Sequence, residues 1–188
     1  GLILQRMKDF AQNVTGIDLS EQMLGKARAK GLEVLQGSAT HLPFQEASFD
    51  VSVSFKVLPH VPDLGQALGE MARVTKQKGY VIAEFYNSRS IRGLRWILRK
   101  RFFNKKKYKD HITEKEIYTR YHVLEEIKEF LPSSLEIVEV RGIITWTPFA
   151  FFYNFPLISQ LLAYLEKKTT ESKLHALAGF VAVILRKK

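Results

Sequence analysis

The stretch Asn13-Val-Thr-Gly-Ile-Asp-Leu-Ser20 reads as a short apolar strand that ends in a carboxylate and runs straight into a helix, whose first residues are Glu21, Gln22 and Met23. In nucleotide-binding α/β folds, an acidic side chain at the tip of such a strand accepts hydrogen bonds from the hydroxyls of a ribose. Asp18 is therefore the first candidate for a ligand contact. The alternative for the same residue is a turn or helix-cap aspartate, which the Asp-Leu-Ser-Glu order also allows.

Downstream the chain gives Gly37-Ser-Ala-Thr-His-Leu-Pro-Phe44, Ser48-Phe-Asp-Val-Ser-Val-Ser-Phe55, Val57-Leu-Pro-His-Val-Pro-Asp63 and Glu70-Met-Ala-Arg-Val-Thr-Lys-Gln-Lys-Gly-Tyr80. Each motif alone is weak, but their order and spacing together carry information. In that order the chain resembles the class I S-adenosylmethionine-dependent methyltransferases, specifically the small-molecule type called the type-11 methyltransferase domain. The resemblance implies an α/β, Rossmann-like fold with a mostly parallel sheet, an antiparallel terminal hairpin and a helical insertion after the family's fifth strand. The family opens with a strand and a turn of the form Asp-x-Gly-x-Gly-x-Gly. Counting back from Asp18, Gly1 falls where the last of those glycines stands, so the first strand and most of the loop are expected to be missing from this chain. That strand is central in the fold, and weak or no activity is the expectation for a chain without it.

By position in the family pattern, the resemblance implies a cofactor site. Gly1 belongs to the glycine turn, Asp18 holds the ribose, Leu19 and Met23 pack near the adenine, and Ser38 and Ala39 face its edge. Phe55 and Lys56 line the methionine end. Relatives often carry Gly-Asp-Ala where this chain has Gly37-Ser38-Ala39. The Ser38 hydroxyl can accept a hydrogen bond, but without charge it contributes about half of what an ionised acceptor would.

Methyl transfer from a sulfonium needs alignment, exclusion of water and, for some acceptors, removal of a proton. His60 is the titratable side chain within these motifs that could take a proton near neutral pH. It has two readings, a catalytic base or an anchor for the loop after the fourth strand. His41, beside Leu42-Pro43, reads as a loop residue, and His111, His122 and His175 are scattered with a spacing that gives no metal site.

The 188 residues are 46% hydrophobic and 26% charged, a globular balance. No cysteine is present, which excludes a disulfide framework, a thiolate zinc site and a cysteine nucleophile. A cytoplasmic location agrees with that. The formal charge of +10 is concentrated in one place: ten basic residues and no acid lie between Arg89 and Lys109, and removing them leaves 19 basic residues against 19 acidic ones. Ile91, Leu94, Leu98 and Phe102 recur there at helical spacing. Such a helix suits packing over the site, or peripheral contact with an anionic membrane. Nucleic acid is the least favoured partner, since no recognised binding module accompanies the charge.

Periodicity and punctuation organise the rest as one methyltransferase domain, residues 1–188. Its cofactor-binding part is 1–87, its basic helical insertion 88–132, and its terminal strands with an apolar cap 133–188. Expected elements are a helix over Leu2–Phe10, strands over Val14–Leu19 and Leu32–Gln36, and a helix over Glu21–Lys30 stopped by Gly31. A strand over Phe49–Phe55, a helix over Leu64–Thr75, a turn at Lys78-Gly79 and a strand over Tyr80–Phe85 follow. The insertion is expected to be mostly helical, with a second helical segment over Thr113–Leu131 opened by a capping box at Thr113 and Glu116. Strands over Leu135–Ile144 and Gly179–Leu185 close the fold. Gly142 to Leu165 contains no charged side chain, and its prolines and polar residues favour a hydrophobic cap or dimer surface over a membrane-inserted segment. Trp146, Phe149 and Phe152 are its candidate lining of a substrate pocket.

The leading expectation is methyl transfer from S-adenosylmethionine to a small hydrophobic or amphipathic acceptor. The alternative is a non-catalytic remnant of the fold that associates with membranes or anions.

Overall fold

The computed structural model describes residues 1–90, 93–94, 118–143, 155–170 and 177–188. The basic segment beyond Arg89, Ser90, Gly93 and Leu94, the capping box at Thr113, and the rings of Trp146, Phe149 and Phe152 lie outside the described residues.

The chain begins with α1 (Leu2–Met7) and a parallel β-α-β unit of β1 (Thr15–Asp18), α2 (Glu21–Arg28) and β2 (Glu33–Gln36), in which Asp18 pairs with Gln36. Helix α2 starts at Ser20, whose side chain accepts from the Met23 amide. It ends before Gly31, which takes φ +69°, a left-handed conformation that favours glycine.

The second unit contains β3 (Phe49–Ser54), a 3-10 turn over Leu58–His60, α3 (Leu64–Val74) and β4 (Thr75–Tyr86), followed by α4 (Leu124–Glu129), β5 (Leu135–Ile143), α5 (Pro156–Thr170) and β6 (Phe180–Lys187). Asp63 caps α3 by accepting from the Gln66 amide at 2.9 Å. One face of α3 buries Leu64, Ala67, Leu68, Met71 and Ala72 against Val81, Ala83, Phe85, Val183 and Leu185 of the sheet.

Strand order is β3-β4-β6-β5, with β3 and β4 parallel and both pairings of β6 antiparallel. The expected antiparallel terminal hairpin is present. The expected turn at Lys78-Gly79 falls inside β4, whose register against β3 jumps from Phe49–Thr75 to Val51–Tyr80. Lys78 is left-handed there, and a Cβ on Gly79 would stand 2.6 Å from the Asp50 carbonyl oxygen, so this turn requires glycine.

The sheet is divided: β1 and β2 form a two-stranded sheet apart from the four-stranded one, and among the described residues no strand pairs with the second edge of β1 or of β3. One expectation is corrected: the second helical segment is shorter than expected. Residues 118–123 are extended because the His122 amide donates to the Tyr86 carbonyl and the Ser88 amide donates to that of His122, a parallel bridge that precludes helix.

Candidate active site

Ligands of open parallel sheets bind outside the carboxyl ends of the strands. Asp18 stands at that end of β1. Its Oδ1 accepts from the Ser20 amide at 2.9 Å, so one oxygen closes the turn into α2, and Oδ2 has no protein partner among the described residues. The two sequence readings of Asp18 are thus compatible, one per oxygen. Leu19 and Met23 flank it with 70% and 46% of their surfaces exposed, unpaired apolar area that suits the face of an aromatic base.

The remaining cofactor candidates are distributed as follows. Gly1 precedes α1, and its carbonyl accepts from the Gln5 amide. Ser38 closes its own turn, with its hydroxyl accepting from the Thr40 amide at 3.2 Å and sharing a hydrogen with Thr40 Oγ1 at 2.8 Å. An adenine edge would have to compete with Thr40 for that oxygen. Ala39 packs against the large core. Leu42 and Phe44, which follow, are clamped to α3: Arg73 donates to both of their carbonyls, and Glu70 accepts from the Leu42 amide at 2.7 Å while pairing with Arg73. Arg73 holds the Glu70 carboxyl below the usual glutamate range.

At the carboxyl ends of β3 and β4 the structure gathers a second group. Lys56, just past β3, has φ 58°, an uncommon conformation for a residue with a side chain and of the kind that collects at functional sites. Its ammonium lies 5.9 Å from the centre of the Phe180 ring. Phe180 packs at 5.2 Å against Tyr86, its cross-strand partner, and Tyr86 packs at 5.4 Å against Tyr121.

His60 joins this group. Its Nδ1 meets the Tyr118 carbonyl at 2.9 Å. A carbonyl only accepts, so Nδ1 donates to it, and Nε2 stands 3.4 Å from the Tyr86 hydroxyl. The Arg120 amide donates to the Pro59 carbonyl beside it. His60 is therefore an anchor for residues 118–120, and its second nitrogen faces the aromatic group.

Glu84 was missed in the sequence. It is 5% exposed in β4, and among the described residues its buried Oε1 has no hydrogen-bond partner. Burial raises its pKa above the usual glutamate value, and the Lys56 charge opposes that rise. The available signal was a carboxylate inside the apolar run Tyr80-Val-Ile-Ala-Glu-Phe85. Among the described residues, no group of three or more His, Cys, Asp or Glu side chains could hold a metal, and no helix is long and apolar enough to cross a membrane.

Residues 1–83 match the family described as "Methyltransferase domain". A demethylmenaquinone methyltransferase of Staphylococcus epidermidis is 48% identical over 75 residues, which are 37% of this chain and 31% of that protein. One from Bacillus cytotoxicus is 33% identical over 156 residues, 73% of this chain and 63% of that protein. The matched part of the chain thus spans less than a third of the first of these relatives and just under two thirds of the second. Among solved structures, an S-adenosylmethionine-dependent methyltransferase of Thermotoga maritima superposes with a TM-score of 0.64 at 24% identity, covering 93% of this chain and 72% of that one. Another, from Mesorhizobium loti, gives 0.62 at 18% identity, covering 94% and 81%. These two likenesses establish the fold.

Proposed function

We propose, for a chain that belongs by its fold and by its residues 1–83 to the class I S-adenosylmethionine-dependent methyltransferases, that it methylates a lipophilic, hydroxylated acceptor of the demethylmenaquinone kind. The observation that carries this reading is the aromatic group of Tyr86, Tyr121 and Phe180 at the carboxyl ends of the parallel strands, joined there by His60 and Glu84. A flat apolar ring finds aromatic faces in such a group, and its hydroxyls find acceptors.

The residues present fit the implied cofactor: Asp18 offers a free carboxylate oxygen beside the exposed Leu19 and Met23. When bound, S-adenosylmethionine supplies an electrophilic methyl group on a sulfonium. The chain's own part is to bind and orient. Asp18 would hold the ribose, Leu19 and Met23 would shield the adenine, and Phe55 and Lys56 would border the methionine end. The aromatic group would seat the acceptor and keep water from it.

Peripheral contact with an anionic membrane belongs to the same proposal, since a lipophilic acceptor resides there. Helix α5 exposes Leu157, Ile158, Leu161 and Tyr164, positions that share one helical face, and the formal charge of +10 favours an anionic surface. A non-lipid acceptor would leave that face without a purpose in this reading.

The test follows labelled methyl groups from S-adenosylmethionine into demethylmenaquinone held in anionic vesicles, with calorimetric titration of S-adenosylhomocysteine alongside. Transfer is expected, with micromolar binding that weakens about tenfold or more in Asp18→Ala, the loss typical of a charge-assisted hydrogen bond. No binding and no transfer would overturn the reading in favour of a non-catalytic remnant.

A further inference from the structure

We infer that Glu84 is the group that accepts a hydrogen bond from an acidic hydroxyl of the acceptor and takes its proton. The inference deepens the methyltransferase reading by assigning the chemistry of the acceptor's reactive group.

A carboxylate in the middle of a buried strand needs a reason, because an ionised oxygen without a donor is among the costlier arrangements in a protein interior. Among the described residues the fold supplies no donor to Glu84 Oε1. Its neighbours do not neutralise it by contact either: Ala182, its cross-strand partner on β6, is small and apolar. Alternation along β4 places Ile82 and Tyr86 on its face. Phe180 pairs across from Tyr86, and Lys56 lies over the Phe180 ring. The titratable and charged groups facing this region are Lys56 beyond β3, His60 in the 3-10 turn, Tyr86 on β4 itself and, one strand further on β5, the ion pair of Arg141 and Glu139, cross-strand partners of Ala182 and Ile184. Strand β6 contributes Phe180, Ala182 and Ile184, none of which titrates.

This arrangement discriminates between Glu84 and His60 as proton acceptors. His60 is held at both nitrogens, by the Tyr118 carbonyl and by the Tyr86 hydroxyl. Glu84 has an oxygen to spare, on the same face as Tyr86. Burial also increases its affinity for a proton, which brings a carboxylate closer to the working range of a base. The step is a proton transfer: the hydroxyl O–H bond breaks, its electron pair stays on the acceptor and makes it nucleophilic, and the proton resides on the Glu84 carboxylate until it is released to solvent. Acceptors with an ionisable hydroxyl on an apolar ring, phenols and quinols, fit this site; aliphatic amines do not require it.

The experiment measures binding of 1-naphthol to the whole chain by calorimetry, and the pH profile of methyl transfer, for wild type, Glu84→Gln and Tyr86→Phe. Glu84→Gln keeps shape and removes a buried charge, so it should fold; a thermal midpoint at or above that of wild type checks this. The expected result is a loss of about tenfold or more in naphthol affinity. In transfer, kcat should fall by about 10²–10⁴-fold and the rise of rate with pH should disappear, while S-adenosylhomocysteine affinity changes little. Tyr86→Phe should weaken naphthol binding less than Glu84→Gln does. Naphthol affinity equal in wild type and Glu84→Gln, or no naphthol binding to either, would overturn the inference. Naphthol binding that depends on Glu84 in a chain that neither binds S-adenosylhomocysteine nor transfers methyl would support the hydroxyl site and remove the methyltransferase reading instead.

Discussion

The sheet of β1 and β2 rests on Leu24, Ala27 and Leu32 as its buried apolar residues, whereas α3, α4 and the four-stranded sheet enclose a continuous core that runs from Leu58 to Leu185. Around the small sheet, Leu2, Ile3, Phe10, Leu19, Met23 and Leu35 are exposed. Yet it is the small sheet that carries Asp18, and the large one that carries the acceptor-side group. On the proposed function, cofactor binding falls to the part with less packing of its own, and the stability of that part should depend on ligand by mass action. Hydrogen exchange is the direct measure. Amides of β1 and β2 should exchange well before those of β4 and β6, and adding S-adenosylhomocysteine should slow the former more than the latter.

The largest mutational effect should come from the core of the large sheet. Leu68 is fully buried between α3 and β4, and Leu68→Ala should cost about 2–5 kcal/mol in denaturant unfolding, from lost burial and the cavity left behind. Leu24→Ala, beneath the small sheet, should fall at about 2 kcal/mol, the lower end of that range, because its thinner surroundings can close over the gap. Equal losses at both sites would mean that the two sheets unfold as one unit of equal density, and would break the comparison.

The clamp of Arg73 and Glu70 joins the two regions, since it grips the backbone of Leu42 and Phe44 that leads from β2 to β3. Arg73→Leu should cost about 1.5–3 kcal/mol, the value of hydrogen bonds made by a charged group, with part of that loss due to Glu70 left unpaired. The sharper signature is local: exchange in 38–44 should accelerate while that of β6 is unchanged.

These contrasts also decide what could be read from the sequence. Helix and strand positions from Thr15 to Tyr86 were legible because each has a local cause, such as the caps at Ser20 and Asp63, the stop at Gly31 and the turn at Gly79. The terminal hairpin was legible from its two apolar runs. The composition of residues 118–123 permits helix, but a backbone bridge to Tyr86 and Ser88 overrides that local preference. At the candidate site, Asp18, Lys56 and His60 are legible through their motifs. Glu84 was passed over as part of an apolar strand, and its meaning appears only when the burial of its oxygen is known.

Two buried titratable groups on the large sheet make opposite pH predictions. Glu84 has a folded pKa raised by burial, so its contribution is most favourable below about 4.5, the ordinary glutamate value, and is lost as pH rises through the folded value. Glu84→Gln should therefore be more stable than wild type at neutral pH, with the difference shrinking toward acid. His122 has a folded pKa lowered chiefly by burial and further by Arg120, against the pull of Glu126. The unfolded chain binds its proton below about 6.5 while the folded one resists, so this stability is present above 6.5 and declines as pH falls toward the folded value. The ring lies 6.0 Å from that of Phe85 and 6.1 Å from that of Phe130, so His122→Phe should keep the packing and flatten the acid side of a plot of melting temperature against pH.

The smallest effects should be at the helix caps, where the comparison becomes most discriminating because the chemistry is the same in both regions. Asp63 accepts from Gln66 at 2.9 Å at the start of α3, while Ser20 accepts from Met23 at 3.4 Å at the start of α2. Replacing either by alanine removes a side-chain partner of a first-turn amide, worth about 0.5–2 kcal/mol; the Met23 amide keeps a 2.9 Å bond to the Ser20 carbonyl. Asp63→Ala should lie near the upper end, because its bond is short, its acceptor is charged and α3 is anchored in the large core. Ser20→Ala should lie near the lower end, since the long bond contributes little and the Ser20 amide stays held by Asp18 Oδ1. Asp18→Ala removes that second link, so the Ser20→Ala and Asp18→Ala losses should be coupled in a double-mutant cycle, whereas Asp63→Ala should add independently to both.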